Sequence, residues 1–380
     1  MTRLAVPALL APGGVWTGPA TVDIADGRIV RVSPGALPDA NALSGGVLTA
    51  GLLDLHNNGA FGVDFAAADG PGWSTVLTGL AARGVTSVQP TIITAPIPDI
   101  LAALGRIAVG QEEWAGSPVT RILGTHLEGP FLAAAKRGAH RQDWLADPEP
   151  GVVDALLAIP RGLCTVTLAP ERPHALEAIR RFVAAGVVVS LGHSDANAAQ
   201  VLAGIDAGAS MVTHLFNAMR PLGHRDPALP GVALTDARLA CCLIVDGQHV
   251  DPIACRLAFQ AAGKRLVAVT DSIVIAGLPP GTTLDFGGMP VRGDDTGLGR
   301  RLDGTISGAG IVLDEGVRRM IAAGIEPATV MYAATEAAAD AIRRPDLGRI
   351  APGALADLVW WDADWMPRRV WIGGVEVPDV

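Results

Sequence analysis

His174-Ala-Leu-Glu-Ala-Ile-Arg-Arg-Phe-Val-Ala-Ala-Gly186-Val-Val-Val-Ser-Leu-Gly-His193-Ser-Asp195 contains one complete structural unit and ends on chemistry. Apolar residues recur at helical spacing over 174–185, and Gly186 stands where a helix commonly stops. Val187–Leu191 is apolar without alternation, as expected of a parallel strand buried on both faces. The polar cluster Gly192-His193-Ser194-Asp195 follows at once, where such a strand would end.

The unit repeats. Eight apolar runs are spaced along the chain: Val47–Leu55, Val85–Ile92, Arg121–Leu127, Leu163–Ala169, Val187–Leu191, Ser210–His214, Leu239–Val245 and Arg265–Thr270. Helical patterns separate most of them, at Trp73–Arg83, Gly151–Ile159, Ala196–Ala207 and Asp251–Gly263, with Gly84, Gly208 and Gly263 as further stops. This alternation predicts a (β/α)8 barrel, a TIM-like α/β fold whose chemistry sits at the carboxyl ends of its strands. An open doubly wound sheet would instead require a glycine-rich phosphate loop after the first strand, and Gly59-Ala60-Phe61-Gly62 matches that poorly.

Both termini read as β structure. Thr21–Ile24 and Ile29–Val32 flank Asp26-Gly27, a pair suited to a tight hairpin turn, and Ala356–Trp360, Arg369–Ile372 and Val375–Val377 close the chain. We expect these to form one small sheet unit, a β-sandwich domain built from residues 1–48 and 341–380 around a barrel at 49–340.

The chain has 380 residues, 49% of them apolar and 18% charged, which supplies a sizeable core. A net charge of −9, with Lys136 and Lys264 the only lysines, argues against a nucleic-acid partner. No run is long enough to span a membrane, and Met1–Leu10 is too short and too soon interrupted by Pro7 for a signal peptide; a soluble cytoplasmic protein is expected. Cys164, Cys241, Cys242 and Cys255 lack metal or disulfide spacing and read as reduced core residues.

Four polar clusters follow apolar runs: Asp54-Leu55-His56-Asn57-Asn58, His126-Leu127-Glu128-Gly129-Pro130, Gly192-His193-Ser194-Asp195 and Thr213-His214-Leu215-Phe216-Asn217-Ala218-Met219; Asp271 follows another. One carboxylate and two imidazoles from different strands, Glu128, His193 and His214, form a set suited to a catalytic divalent metal with an open position. Asp271, ending the eighth strand, is placed to take a proton from water and return it to a leaving amine. His126 reads as structural.

These motifs, together with Lys136-Arg137-Gly138-Ala139-His140, Asp246-Gly247-Gln248-His249-Val250, Val269-Thr270-Asp271 and Ala356-Asp357-Leu358-Val359, resemble the N-acetylglucosamine-6-phosphate deacetylases of the amidohydrolase superfamily. The likeness runs through nearly the whole chain. It implies that Glu128, His193 and His214 bind the principal metal and that Asp271 is the general acid and base; from the ligand set a single ion is expected, zinc first, with Fe2+ or another divalent ion as the alternatives. His140 would polarise the acetyl carbonyl. Ala139, His140, Asn217, Ala218 and Asn58 would surround the sugar and its acetamide, Leu313 would lie beside it, and Arg225 and His249 would hold the 6-phosphate. The resemblance further implies a homodimer, with Arg225 able to reach the neighbouring subunit's site.

His56 and Asn58 occupy the place of a His-x-His pair, so any second ion would rest on His56 and a bridging Glu128. A bridging carbamylated lysine is excluded, because Cys164–Glu171 contains no lysine. The Gly- and Asp-rich stretch Leu278–Leu302 is expected to form a small hairpin over the site mouth. The rival readings are a related amidohydrolase acting on another small or cyclic amide, such as a dihydroorotase-like or N-acyl amino acid substrate, and a metal-free binding homologue.

Overall fold

The computed structural model describes residues 1–378. Its centre is a parallel barrel of eight strands: β1 (Leu52–Asn57), β2 (Val85–Ile93), β3 (Thr125–Glu128), β4 (Leu163–Leu168), β5 (Val188–Leu191), β6 (Met211–Val212), β7 (Ala240–Ile244) and β8 (Leu266–Val269). Neighbours pair in chain order, for example Val166 with Val189 and Leu243 with Ala268. Asn57 bridges to Ser272 in parallel sense, bringing the segment after β8 alongside the end of β1.

Asp54 secures that closure. Its buried carboxylate accepts from Thr270 Oγ1 at 2.6 Å, the Thr270 amide at 3.2 Å and Asn57 Nδ2 at 3.0 Å. Burial raises its pKa, against these three donors. Asp54 therefore joins first strand to last and takes no place in the reactive cluster.

The opening stretch folds as its pattern requires. The helix covers Ala175–Ala184 and the chain turns at Gly186 with φ 84°. The next helix, Ala198–Asp206, starts with a capping box in which Asn197 and Gln200 satisfy each other's backbone amides. The helix Ala228–Thr235 forms despite Pro230 and Gly231, because nearly all of it is buried.

The terminal strands form two sheets, not one. Thr2–Val6, Ala20–Ala25, Arg28–Pro34 and Asn41–Ala42 make the first, its hairpin turning through Asp26 and Gly27 at φ 50° and 74°. The second runs Val375–Glu376, Pro367–Ile372, Leu358–Trp361, Val47–Ala50, Leu9–Ala11, Val15–Thr17. Leu4, Val22, Ile29, Leu48, Leu358 and Trp371 pack between them.

The first apolar run of the sequence is thus two strands. Val47–Ala50 pairs antiparallel with Leu358–Trp361, and β1 begins only after Gly51. A Cβ at Gly51 would lie 2.1 Å from Thr86 Oγ1, so the chain crosses from sandwich to barrel where only glycine fits.

Beyond β8 an antiparallel meander covers one side of the barrel mouth: β9 (Thr283–Phe286), β10 (Met289–Gly293), β11 (Leu298–Arg301) and β12 (Ile306–Ala309). It is a four-stranded cap rather than a small hairpin. Phe286 and Val291 pack on Ile273, Val274 and Ile275, and the Ala309 amide donates to the Asp271 carbonyl at 2.8 Å.

Candidate active site

Four imidazoles surround the buried Glu128 carboxylate at the carboxyl ends of the strands. Oε1 lies 3.1 Å from His193 Nε2 and 2.9 Å from His214 Nε2. Oε2 lies 3.3 Å from His56 Nε2 and 3.6 Å from His140 Nε2. His56 Nε2 is also 3.2 Å from Asp271 Oδ1, which accepts from Asn58 Nδ2 at 2.9 Å. Glu128 closes β3; His193, His214 and Asp271 stand two residues past β5, β6 and β8. Those three have positive φ, 48°, 26° and 53°, a conformation that non-glycine residues seldom adopt unless the surroundings impose it. Here the reward is convergence of the side chains.

The hydrogen bonds assign the ring protons. His193 Nδ1 lies 2.8 Å from the Lys136 carbonyl, which can only accept, so Nδ1 carries the proton and Nε2 presents a lone pair toward Glu128. His140 is the reverse. The Thr94 amide donates to its Nδ1 at 3.3 Å, and the Thr94 hydroxyl adjoins the same atom at 2.8 Å, which leaves the proton on Nε2. Among the described residues, Glu128, His140 and His193 form one ligand-like group and His56, Glu128 and Asp271 another. With its proton on Nε2, His140 is a donor to the cleft rather than a ligand, and His214 completes the first group.

A metal ion fits this arrangement. His193 Nε2 and His214 Nε2 face each other at 3.0 Å with Glu128 Oε1 beside both, and a cation is what two imidazole nitrogens and a carboxylate oxygen at that separation require. Nδ1 of His56 and Nδ1 of His214 are buried without a hydrogen-bond partner, and His56 Nε2 has only the Glu128 and Asp271 oxygens beside it.

Burial works against ionisation of Glu128, but the charge of His56 and the Nε2–H of His140 hold its pKa well below the usual range. Asp271 is likewise opposed by burial and held low chiefly by His56. His56 would lose its proton through burial, yet Glu128 and Asp271 raise its pKa well above the ordinary value. His126 lies behind this cluster, between Thr91 Oγ1 and Thr167 Oγ1, and burial pushes its pKa down to about 3. A neutral, hydrogen-bonded, structural His126 results.

The cleft above the carboxylate has a volume of about 800 Å³ including its open mouth. Asn58, Ala139, His140, Asn217, Ala218 and His249 line it. His249 Nδ1 is paired with the buried Asp246 at 2.6 Å; burial lowers its pKa, but Asp246 reverses the effect and raises it. Two residues of the sequence-based set lie elsewhere. Leu313 is fully buried in the main core at the start of helix Leu313–Ala322, and Arg225 is exposed on its loop, outside the cleft of its own subunit. The pattern did not single out Thr94, Phe286, Met289 or Arg301. The last three come from the cap, where no motif marks them; a basic residue in a Gly- and Asp-rich stretch was the only signal for Arg301.

An eight-stranded barrel whose strand ends focus imidazoles and carboxylates on one point defines a metal-dependent hydrolase. The amidohydrolase family model matches residues 47–377. The chain is 36% identical over 365 residues to the N-acetylgalactosamine-6-phosphate deacetylase of Escherichia coli O157:H7, covering 94% of this chain and 95% of that one. It is 38% identical over 348 residues to the N-acetylglucosamine-6-phosphate deacetylase of Bos taurus, covering 87% and 83%. An N-acetyl-D-glucosamine-6-phosphate deacetylase variant from Mycobacterium smegmatis, solved in complex with N-acetyl-D-glucosamine-6-phosphate, superposes with a TM-score of 0.91 at 34% identity over 99% of each chain. The chain therefore belongs to the amidohydrolase family, in its branch of N-acetylhexosamine-6-phosphate deacetylases.

Proposed function

We propose that this protein hydrolyses the acetamide of an N-acetylhexosamine 6-phosphate, with N-acetylglucosamine 6-phosphate the preferred substrate, giving the amino-sugar phosphate and acetate. The observation that carries the reading is the position of Asp271, beside Glu128 and His56 and bonded to Asn58, at the floor of a cleft with the His140 donor on its wall.

Glu128, His193 and His214 would hold one divalent cation, zinc by preference for this donor set, and it would supply Lewis-acid polarisation and lower the pKa of water. Asp271, kept ionised, takes the proton of the attacking water and delivers it to the amide nitrogen as the bond to the acetyl carbon breaks. His140 donates Nε2–H to the acetyl oxygen as negative charge develops there. His249, its charged form favoured by Asp246, suits the phosphate. Charged His56 between Glu128 and Asp271 can balance both carboxylates without a second ion, which supports a stoichiometry of one.

The family resemblance supports a cytoplasmic homodimer in which Arg225 serves the neighbouring site. No described helix is long and apolar enough to cross a membrane.

Acetate release from N-acetylglucosamine 6-phosphate, its galacto and manno epimers and the unphosphorylated sugar, alongside metal analysis, tests the proposal. Release from a phosphorylated sugar with about one ion per chain is expected. Cleavage of cyclic amides or N-acyl amino acids in place of all the sugars would establish the rival amidohydrolase reading.

A further inference from the structure

The cap brings a guanidinium to the cleft without pairing it to a carboxylate. The pair Arg300-Arg301 ends β11, and the two side chains have different surroundings. Arg300 Nε bonds to Asp294 Oδ2 at 2.9 Å, whereas Arg301 lines the cleft. Arg301 Nη2 donates to the Ala139 carbonyl, and its Nε is buried with no partner. Among the described residues no carboxylate forms an ion pair with Arg301 or Arg137; burial lowers the Arg301 pKa, the nearby charge of Asp303 opposes this without contact, and Arg137 adds to the lowering.

A partly buried guanidinium with no anion bonded to it is unfavourable, and its planar fork of donors matches a phosphate. The carbonyl of Ala139 uses one of five N–H groups, so the fork retains donors for a ligand. His249 lines the same cleft, which places a second cationic group with Arg301 around a space of sugar-phosphate size.

We propose that Arg301 is a specificity-determining residue that receives the substrate's phosphate within its own subunit, an assignment that rests on the deacetylase reading above. Through Ala139 the same guanidinium supports the loop that ends at His140. Phosphate capture and placement of the acetamide donor are thereby connected. Arg225 of a neighbouring subunit would add to this charge rather than supply all of it.

The test compares metal-loaded wild type, Arg301→Gln and Arg301→Lys on N-acetylglucosamine 6-phosphate and on N-acetylglucosamine. Arg301→Gln is expected to lower kcat/KM about 10- to 100-fold on the phosphorylated sugar, mainly through KM, with a loss several-fold smaller on the other. Arg301→Lys should recover part of the loss, since it keeps the charge and not the fork. Equal losses on both sugars would overturn the proposal, because support of Ala139 alone predicts that result. If the unphosphorylated sugar turns over too slowly, inhibition by glucosamine 6-phosphate replaces it: an inhibition constant raised at least about tenfold in Arg301→Gln is expected, and an unchanged one overturns the assignment. A wild type that binds glucosamine 6-phosphate yet releases no acetate would count against the deacetylase reading and leave the phosphate role of Arg301 to be judged on inhibition.

Discussion

Asp271 and Asp64 are both half-buried carboxyls, and their surroundings push them in opposite directions. At Asp271, His56 and the Asn58 amide favour the carboxylate, as a proton acceptor at neutral pH needs. Replacing it by Asn removes the basic oxygen while leaving Glu128, His193 and His214 in place. Asp271→Asn should lower kcat by about 10²- to 10⁴-fold with metal content retained; full activity would remove Asp271 from the mechanism. Asp64 has no cation in contact. It caps the short helix Phe65–Ala67 through the Ala66 amide at 2.8 Å, and burial raises its pKa from 3.8 to about 6. The unfolded chain releases this proton at lower pH than the folded one, so stability falls as pH rises from about 4 to 6 and stays reduced above. Asn caps equally well without the charge. Asp64→Asn should therefore stabilise the protein by about 1–3 kcal/mol at pH 7 and by nothing below pH 4, read from denaturant midpoints at the two pH values.

At the scale of elements, the barrel strands were legible because a strand buried on both faces is apolar throughout, and the helices between them end on Gly84, Gly186, Gly208 and Gly263, all at positive φ. The convergence of Glu128, His193 and His214 followed from their positions at strand ends. What pattern could not show was tertiary in origin. The Val47–Leu55 run hid a break at Gly51 that exists because Thr86 presses on it, and the cap was legible only as a small hairpin over the site mouth, because its four strands are short and exposed on one side. Leu313 was misplaced because one apolar residue serves a core or a pocket equally well. The cap's register against Asp271 gives a sharp test. A Cβ at Gly308, where φ is 131°, would lie 2.6 Å from Ile273 Cγ2 and 2.8 Å from the Asp271 carbonyl oxygen, so β12 or Asp271 must move. Gly308→Ala should cut kcat at least about tenfold and cost about 1–3 kcal/mol. Gly304→Ala is the control: its φ is 86° but nothing stands within 4 Å, so only about 1 kcal/mol of backbone strain and near wild-type turnover are expected.

Across the whole molecule, the site and the terminal sheets depend on the same cores. A cation held by Glu128, His193 and His214 would cross-link three strand ends, so chelation should lower the melting temperature and restored metal should raise it again. The second terminal sheet faces both cores, through Leu10, Val370 and Ile372 as well as through its central strand. In Leu358–Trp361 the side chains alternate between two cores: Leu358 and Trp360 pack within the sandwich, while Val359 and Trp361 join the cluster that includes Leu80, Val85 and Ile107 around the barrel. Trp361 is fully buried, and its Nε1 donates to Thr49 Oγ1 at 2.8 Å, across the ladder between Val47–Ala50 and Leu358–Trp361. A sandwich unit divided from the barrel near residues 48 and 341 would then have no independent unfolding step, because loosening its second sheet exposes barrel core. Calorimetry should show one main transition, and Trp361→Ala should shift it as a whole, by about 3–5 kcal/mol in stability. A variant in which the terminal sheets melt early while the barrel keeps its activity and its melting temperature would show that the shared tryptophan does not couple them.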